Sequence, residues 1–432
     1  MKGHDSLNEA VPIDSDRTSA LTRMMQDISP GLRLSGFWGK SFLDVSEDLL
    51  AYVGSVLKNE SPLAPAASVN QWLALLDVLK SHWIIPLLYR QIGCLPEVLQ
   101  PPKPAIDEMR NTFLLSRVRS LHVAKQLSEI TDAFQDKNVR VLVLRGPGLA
   151  WSVYPDPALR PSCDLDLLVL PEHAVQARGI LETLGYKCLA RRFEVTRDFF
   201  REEEFIHQEN PRDNLVVDLH WIHWELSPFF ESEGEVRIED LFHRATKVES
   251  SGLRFETLHP VDGIIHGAIH SAMIHKRDMR LIWIYDTALL ARQLEIPHDW
   301  EILQERSVTW GARLPLEHCL RLAQIWVGLQ LPAGFNDFST WPRPNADERA
   351  IWADTMKHHW VTILLKRSLS NPSMLLKRVP SLFHLLFPHP DVVRFCYPPS
   401  RDCLLPLSYV RRWHRWLEDL VFKRIGLMRQ RG

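Results

Sequence analysis

Between positions 37 and 99 the apolar residues recur at helical spacing, as in Trp72, Leu73, Leu75, Leu76, Val78 and Leu79. Pro62, Pro65, Pro86 and Pro96 cut this stretch into short helices, because proline lacks the N–H that a helix interior needs. A longer helical pattern, free of Gly and Pro, runs over 106–134 and stops at the polar turn Asp136-Lys137-Asn138. The period then changes. Residues 139–144 are β-branched and apolar and end at Gly146, the pattern of a buried strand entering a loop. A second strand is expected over 165–170 and a helix over 172–184, closed by Gly185. Residues 205–208 and 215–219 flank the turn-forming run 210–214 and predict a hairpin. This is the only strongly β-rich part that the pattern reveals. From His259 and Pro260 onward the spacing is helical again, punctuated by Pro297, Pro315, Pro332, Pro342 and Pro344. Roughly the first 20 residues are polar and expected to be loosely attached.

Composition narrows the class. The chain of 432 residues is 45% hydrophobic and 24% charged, which is ordinary for a globular protein with a sizeable core. With 51 Lys and Arg against 53 Asp and Glu the net charge is −2, so no global field draws it to nucleic acid or to an anionic membrane. Cys94, Cys163, Cys188, Cys319, Cys396 and Cys403 form no CxxC pair, which argues against a structural zinc site or a secreted disulfide framework. The N-terminal residues lack the apolar run of a signal peptide, and no stretch of about 18 apolar residues would span a bilayer. The expectation is a cytoplasmic protein without a transmembrane segment.

The chemistry concentrates after residue 144. Asp164 and Asp166 head an apolar strand, where alternation sends both carboxylates to one face. Two such carboxylates repel unless a cation lies between them, and Mg²⁺ (or Mn²⁺) suits oxygen ligands while leaving positions for phosphate and water. Asp218, in Val216-Val217-Asp218-Leu219-His220, is the third carboxylate expected on a neighbouring strand. Gly146 and Gly148 leave room for phosphate to approach the backbone at a helix start, and Arg145 and Arg160 offer positive charge to a triphosphate.

The order strand, glycine turn, helix, Asp-x-Asp, later Asp resembles the polymerase-β-type nucleotidyltransferase superfamily. More narrowly, LRGPGLAWSVYPDPALRPSCDLDLLV, then VVDLHW, then a His-containing helix with RLIWIYD resembles its uncharacterised bacterial nucleotidyltransferase-like family. The likeness extends to most of the chain, including Pro86-Leu87-Leu88-Tyr89. It implies that Asp164, Asp166 and Asp218 are the catalytic, metal-binding carboxylates, and that Arg145 and Gly146 form the phosphate-side turn. The superfamily's usual Gly-Ser turn is Gly146-Pro147 here, and proline supplies neither hydroxyl nor N–H, so that part of triphosphate binding is remodelled or absent.

Several further residues are weighed between chemistry and packing. Asp262, His266 and His270 follow at i, i+4 and i+8 on one helix face, with His275 offset from them. They read either as a substrate-side cluster over the metal site or as histidines packed between helices, the second being preferred for His266. Arg280, Trp283 and Asp286 also recur at helical spacing. Trp283 reads as core packing rather than base stacking, and Asp286 requires a partner such as Arg280 or a histidine. Arg160 has an alternative partner in Asp156. His220 shares the Asp218 face and is placed to touch substrate or a metal-binding carboxylate. In the basic tail, Arg411, Arg412, Arg415, Lys423, Arg424, Arg429 and Arg431 alternate with Trp413, Trp416 and Phe422. They suit nucleic-acid or anionic-membrane binding, and a docked helix with a solvated basic face accounts for them equally well and is the preferred reading.

The resulting expectation is an α+β fold. A small mixed-sheet nucleotidyltransferase core over 104–257 is flanked by an N-terminal tail and helical region over 1–103 and a C-terminal helical region with its basic tail over 258–432. The expected activity is metal-dependent transfer of a nucleoside monophosphate from an NTP to an acceptor: small molecule, peptide or protein. Two alternatives are a catalytically silent nucleotide- or partner-binding protein and an RNA-directed nucleotidyltransferase. Acceptor, base preference and oligomeric state are not legible.

Overall fold

The computed structural model describes residues 45–188, 202–209, 215–221, 236–275, 279–355, 387 and 405–414. Three short helices come first: α1 (Glu47–Leu57), α2 (Val69–Ser81) and α3 (Ile85–Ile92). Ser68 starts α2 through a capping box with Gln71, which satisfies two otherwise orphaned N–H groups. Pro86 lies in the first turn of α3, where its missing N–H removes no helical bond. Helix α4 (Lys103–Asp136) has 34 residues, about 51 Å of helix. Ala105 and Met109 pack it against the preceding helices, and Val123, Leu127, Ile130 and Phe134 pack it against a sheet. Between these ends Leu114, Leu115, Val118 and Leu121 are exposed.

The sheet comprises β1 (Val141–Val143), β2 (Asp164–Val169), β3 (Tyr186–Cys188), β4 (Glu202–His207), β5 (Val216–His220), β6 (Thr246–Ser250) and β7 (Leu253–Thr257). Their spatial order is β3-β4-β5-β2-β1-β7-β6. β2 runs parallel to β5 and β1 parallel to β7, while every other neighbouring pair is antiparallel. Alternation sorts the side chains into two faces. Leu165, Leu167, Val169, Phe205, Val217 and Leu219 bury one face against the C-terminal half of α4. The opposite face carries Asp164 and Asp166 of β2, Asp218 and His220 of β5, and Glu202 and Glu204 of β4.

Helix α5 (Arg145–Ser152) leaves β1 without a loop, and α6 (Ala174–Thr183) follows β2. Beyond β5 come α7 (Ile238–Arg244), α8 (Pro260–Ile269), α9 (Leu281–Ala291), α10 (His298–Thr309), α11 (Arg313–Val327) and α12 (Ala346–Thr355). At its C-terminus α8 widens into a π turn over His270–Ile274. Leu49, Trp72 and Leu88 of the first helices share one buried cluster with Leu142 and Leu168 of the sheet and with Ile265, Ile284 and Leu320 of the last ones. The helical regions on both sides of the sheet in sequence therefore build a common core.

The expected α+β architecture is present, with the strand, helix and hairpin expected around Asp164 and Asp218. Residues 210–214, the expected hairpin turn, lie outside the described residues, as do the first 20 residues and the tail beyond 414. The edge strand β3 was not anticipated, and neither was the β6–β7 hairpin. Its exposed positions carry Lys247, Glu249 and Arg254, so only Val248, Leu253 and Phe255 betray burial. The readable signal is Ser251-Gly252, whose positive φ angles of 51° and 83° suit a two-residue hairpin turn. Among the described residues no helix is long and apolar enough to cross a membrane.

Candidate active site

Parallel pairing of β2 with β5 sets Asp166 opposite Asp218 and Leu168 opposite His220. On the far side of β5, Glu204 stands opposite Asp218 and Glu202 opposite His220. The three expected carboxylates thus share one sheet face, and β4 adds two more that the sequence reading missed. Their signal is the alternation Glu202-Glu203-Glu204-Phe205, in which Glu203 and Phe205 are buried on the opposite face and the strand starts three residues earlier than its apolar pattern indicates.

Arg145 is the cation of this face. It takes a φ of 39° at the junction of β1 and α5, a conformation that costs an L residue about 1–3 kcal/mol. Its guanidinium meets both oxygens of Asp166, Nη2 to Oδ1 at 2.5 Å and Nε to Oδ2 at 3.2 Å. His220, buried on β5, brings Nε2 to within 3.2 Å of the same Oδ1 and Nδ1 to within 3.4 Å of Glu202 Oε2. Burial pushes the Asp166 carboxyl up, but Arg145 and His220 more than offset this and hold it well below the usual carboxylate range.

Its neighbours lack that support. Asp164 is raised, first by burial and then by the charge of Asp166. Burial and then the charges of Asp166, Glu204, Glu202 and Asp164 push Asp218 up to about 9. Asp218 Oδ1 is buried without a hydrogen-bond partner among the described residues. A buried, repelled carboxylate oxygen with nothing to accept from is the state that a divalent cation relieves, so the donor set fits Mg²⁺ or Mn²⁺. Among the described residues no three His, Cys, Asp or Glu side chains are already arranged as a metal cage. Arg145 stands where such an ion would draw on Asp166.

The glycines of the turn have packing reasons of their own. A Cβ on Gly148 would collide with the Val143 carbonyl oxygen and approach Thr257 Oγ1 to 3.0 Å. A Cβ on Gly146 would lie 2.7 Å from Ser162 Oγ. Both positions therefore let α5 sit tightly over β1 and the loop preceding β2. Pro147 is accommodated in the first turn of α5, where its ring interrupts no helical bond.

Arg160 is almost fully buried and forms a two-point pair with Asp286 of α9, Nη2 to Oδ2 at 2.8 Å and Nε to both oxygens at 3.2 Å. Tyr154 donates its hydroxyl to Asp286 Oδ1 at 2.7 Å. The partner that Asp286 requires is thus Arg160 with Tyr154, not Arg280 or a histidine, and Arg160 does not pair with Asp156. These contacts tie the loop before Asp164 to the C-terminal helices. Arg280 instead stacks its guanidinium on Trp83, 4.0 Å from the ring centre, and on Trp283 at 5.1 Å.

The histidines divide. His270 contacts Arg145 through Nδ1, and its ring packs on His275 and Trp283 with centroids 4.5 and 5.1 Å away. Burial, then Arg145, then His275 hold its pKa well below the ordinary histidine value, so it faces Arg145 uncharged. His266 is buried between helices. Asp262 is held by Arg244 at 3.0 Å and by Arg306, away from the carboxylate face. Trp283 is half-buried among Arg280, His270 and His275. Of the tail cations, Arg411 and Arg412 lie in the described stretch 405–414, and the others fall outside it.

Residues 68–328, more than half of the chain, match the family described as uncharacterised nucleotidyltransferase. The chain belongs to that family. All three carboxylates, Arg145 and the Arg160–Asp286 pair lie inside the matched nucleotidyltransferase region. Among solved structures, the antibiotic-resistance factor ANT(2'')-Ia aligns at 14% identity over 46% of this chain and 97% of its own, with a TM-score of 0.31. An antigenic nucleotidyltransferase-like protein from Paracoccidioides brasiliensis aligns at 11% identity over 48% of this chain and 92% of its own, with a TM-score of 0.29. A search of curated proteins finds no match.

Proposed function

We propose that this nucleotidyltransferase-family protein moves a nucleoside monophosphate from an NTP to the hydroxyl of an acceptor, with Mg²⁺ or Mn²⁺ held by Asp164, Asp166 and Asp218. The observation that carries this reading is the convergence of the three carboxylates on one face, with Asp218 Oδ1 buried and unbonded among the described residues. The ion would neutralise the triphosphate and orient the reacting groups. With an ion held by these carboxylates, Arg145 would be free to give its charge to the phosphates, and neutral His270 beside it would leave that charge undiminished. His220 keeps Asp166 oriented. The acceptor oxygen attacks the α-phosphorus, the Pα–O bond to the β-phosphate breaks, and pyrophosphate leaves with the electron pair. The hydroxyl proton passes to Asp218. Arg160 positions the Asp164 loop through Asp286 rather than binding phosphate itself.

The test is a calorimetric titration of the full chain with each NTP, with and without Mg²⁺, beside an Asp164→Ala/Asp166→Ala double variant. Mg²⁺-dependent NTP binding that the variant loses is the expected result. A folded wild type that binds no NTP under either condition overturns the proposal. That result would favour the second reading, a silent family member whose Arg145–Asp166 pair closes the metal position permanently.

A further inference from the structure

A cavity of about 380 Å³ opens between the α2–α3 junction, the middle of α4, α5 and the loop that leads into β2 at Asp164. Its walls are mainly apolar: Trp83, Ile85, Pro86, Leu115, Val123 and Trp151. Ser162 and the exposed Cys163 also line it, and the Cys163 thiol donates to Asp164 Oδ2 at 3.3 Å. An occupant that touches Cys163 therefore lies one residue from Asp164, a carboxylate of the proposed metal set.

Resting on the nucleotidyl-transfer reading, we propose that this cavity is the acceptor subsite and that the acceptor is a small molecule. It would have an apolar ring or chain body, a hydroxyl directed at Asp164, and an anionic or neutral outer end. The volume lies within the usual range for small-molecule sites. Three of the four hydroxyls on its wall already donate: Ser116 to the Ala158 carbonyl at 2.6 Å, Thr112 to the Glu108 carbonyl and Ser120 to the Arg117 carbonyl, while Ser162 accepts from Arg160 at 3.5 Å. Little hydrogen-bonding demand is left for a nucleobase edge or a sugar, and an apolar body meets these walls at no polar cost. Leu115 is 72% exposed despite being apolar, as a wall awaiting an apolar cover would be.

Charge completes the selection. No carboxylate lines the cavity, whereas Lys80, Arg119 and Arg160 do. Lys80 is paired with Glu108 and Asp77, and Arg160 with Asp286. Arg119, on the open side of α4, has no carboxylate partner among the described residues, so an anionic substituent finds a cation there and a polycation finds none of its counter-charges. Transfer then follows the balance already given: the acceptor oxygen bonds to the α-phosphorus and pyrophosphate departs.

The probe is 6-hydroxynaphthalene-2-sulfonate, fluorescent, apolar, hydroxylated and anionic, titrated into the full chain and into Ser120→Trp and Arg119→Glu. Saturable binding is expected in the wild type, weakened about tenfold or more by the filled cavity and about threefold by the reversed charge. Both variants should keep the wild-type Mg²⁺–NTP affinity and melt within about 2 °C of it. Mn²⁺–NTP should broaden the proton resonances of bound probe, because Cys163 on the cavity wall contacts Asp164, and spermine should not displace the probe. Probe affinity that neither variant changes overturns the proposal, as does displacement of the probe by Mg²⁺–NTP or the absence of broadening. If no protein binds NTP, it is the transferase reading that fails, and the probe titration still reports on the cavity by itself.

Discussion

Arg145 holds Asp166 at both carboxylate oxygens, and their side chains are only 15% and 3% exposed. A cation and an anion so placed compete with any third charge, and the divalent ion of the proposed reaction would be that competitor. Arg145→Ala should destabilise the metal-free protein by about 3–5 kcal/mol, because it strands a buried carboxylate. Mn²⁺ should restore more of the melting temperature to Arg145→Ala than it adds to the wild type, since the ion then takes over the counter-charge. EDTA should reverse the gain, and Asp166→Ala should abolish it. Equal Mn²⁺ stabilisation of wild type and Arg145→Ala would remove the idea of competition.

The Arg160–Asp286 pair bridges the loop before β2 and helix α9, with Tyr154 completing the hydrogen bonding of the carboxylate. Breaking it from the acid side leaves the guanidinium buried. Asp286→Ala should cost on the order of 3–5 kcal/mol in denaturant unfolding. Tyr154→Phe removes only one hydrogen bond from that carboxylate and should cost about 1 kcal/mol. If Arg160 were instead a phosphate ligand with a dispensable partner, Asp286→Ala would lower NTP affinity while leaving the unfolding midpoint in place.

Gly146 and Gly148 sit two residues apart, but their replacement should have different consequences. A Cβ at Gly148 meets the backbone of Val143, which cannot yield without moving β1. A Cβ at Gly146 meets the side chain of Ser162. Gly148→Ala should therefore lower the melting temperature with no single compensating change. The loss in Gly146→Ala should be largely recovered in Gly146→Ala/Ser162→Ala, because the second substitution removes the oxygen that stands in the way. A double variant no more stable than Gly146→Ala alone would show that the obstruction lies in the backbone.

The shared face of Asp164 and Asp166 is legible in the sequence because an i, i+2 spacing on an apolar strand sends both side chains the same way. Asp218 is legible as a polar position between the buried Val217 and Leu219. What the sequence could not reveal were partners set by tertiary packing. Asp286 lies 126 positions from Arg160, and no spacing rule links a helix residue to a loop so far away. Glu202 and Glu204 stayed hidden because a half-exposed strand spends its outward positions on charge, so its first turnless stretch resembles a loop. The β6–β7 hairpin escaped for the same reason. Arg145 reads as a phosphate-side residue, but its hold on Asp166 depends on the antiparallel pairing of β1 with β2 and on a positive φ that composition does not encode.

Glu348 offers a test that is independent of the active site. It lies on α12, and its Oε1 accepts the Leu314 N–H at 2.6 Å in the first turn of α11, while Oε2 is buried without a partner among the described residues. Burial pushes its carboxyl up to about 7, against the lowering effects of the Leu314 N–H and Arg313. The folded state then keeps a proton that the unfolded chain has already lost once the pH passes the ordinary glutamate value. Between that value and about 7, rising pH draws stability away from the fold, and above it both states are ionised and the effect is constant. Glu348→Gln retains the Oε1 acceptor and carries no proton to lose. The stability of Glu348→Gln relative to wild type should rise by on the order of 2 kcal/mol between pH 5 and pH 7.5, measured by urea unfolding at each pH. A difference that stays flat across that interval would mean that Glu348 is ionised in the fold, with Arg313 close enough to hold its charge.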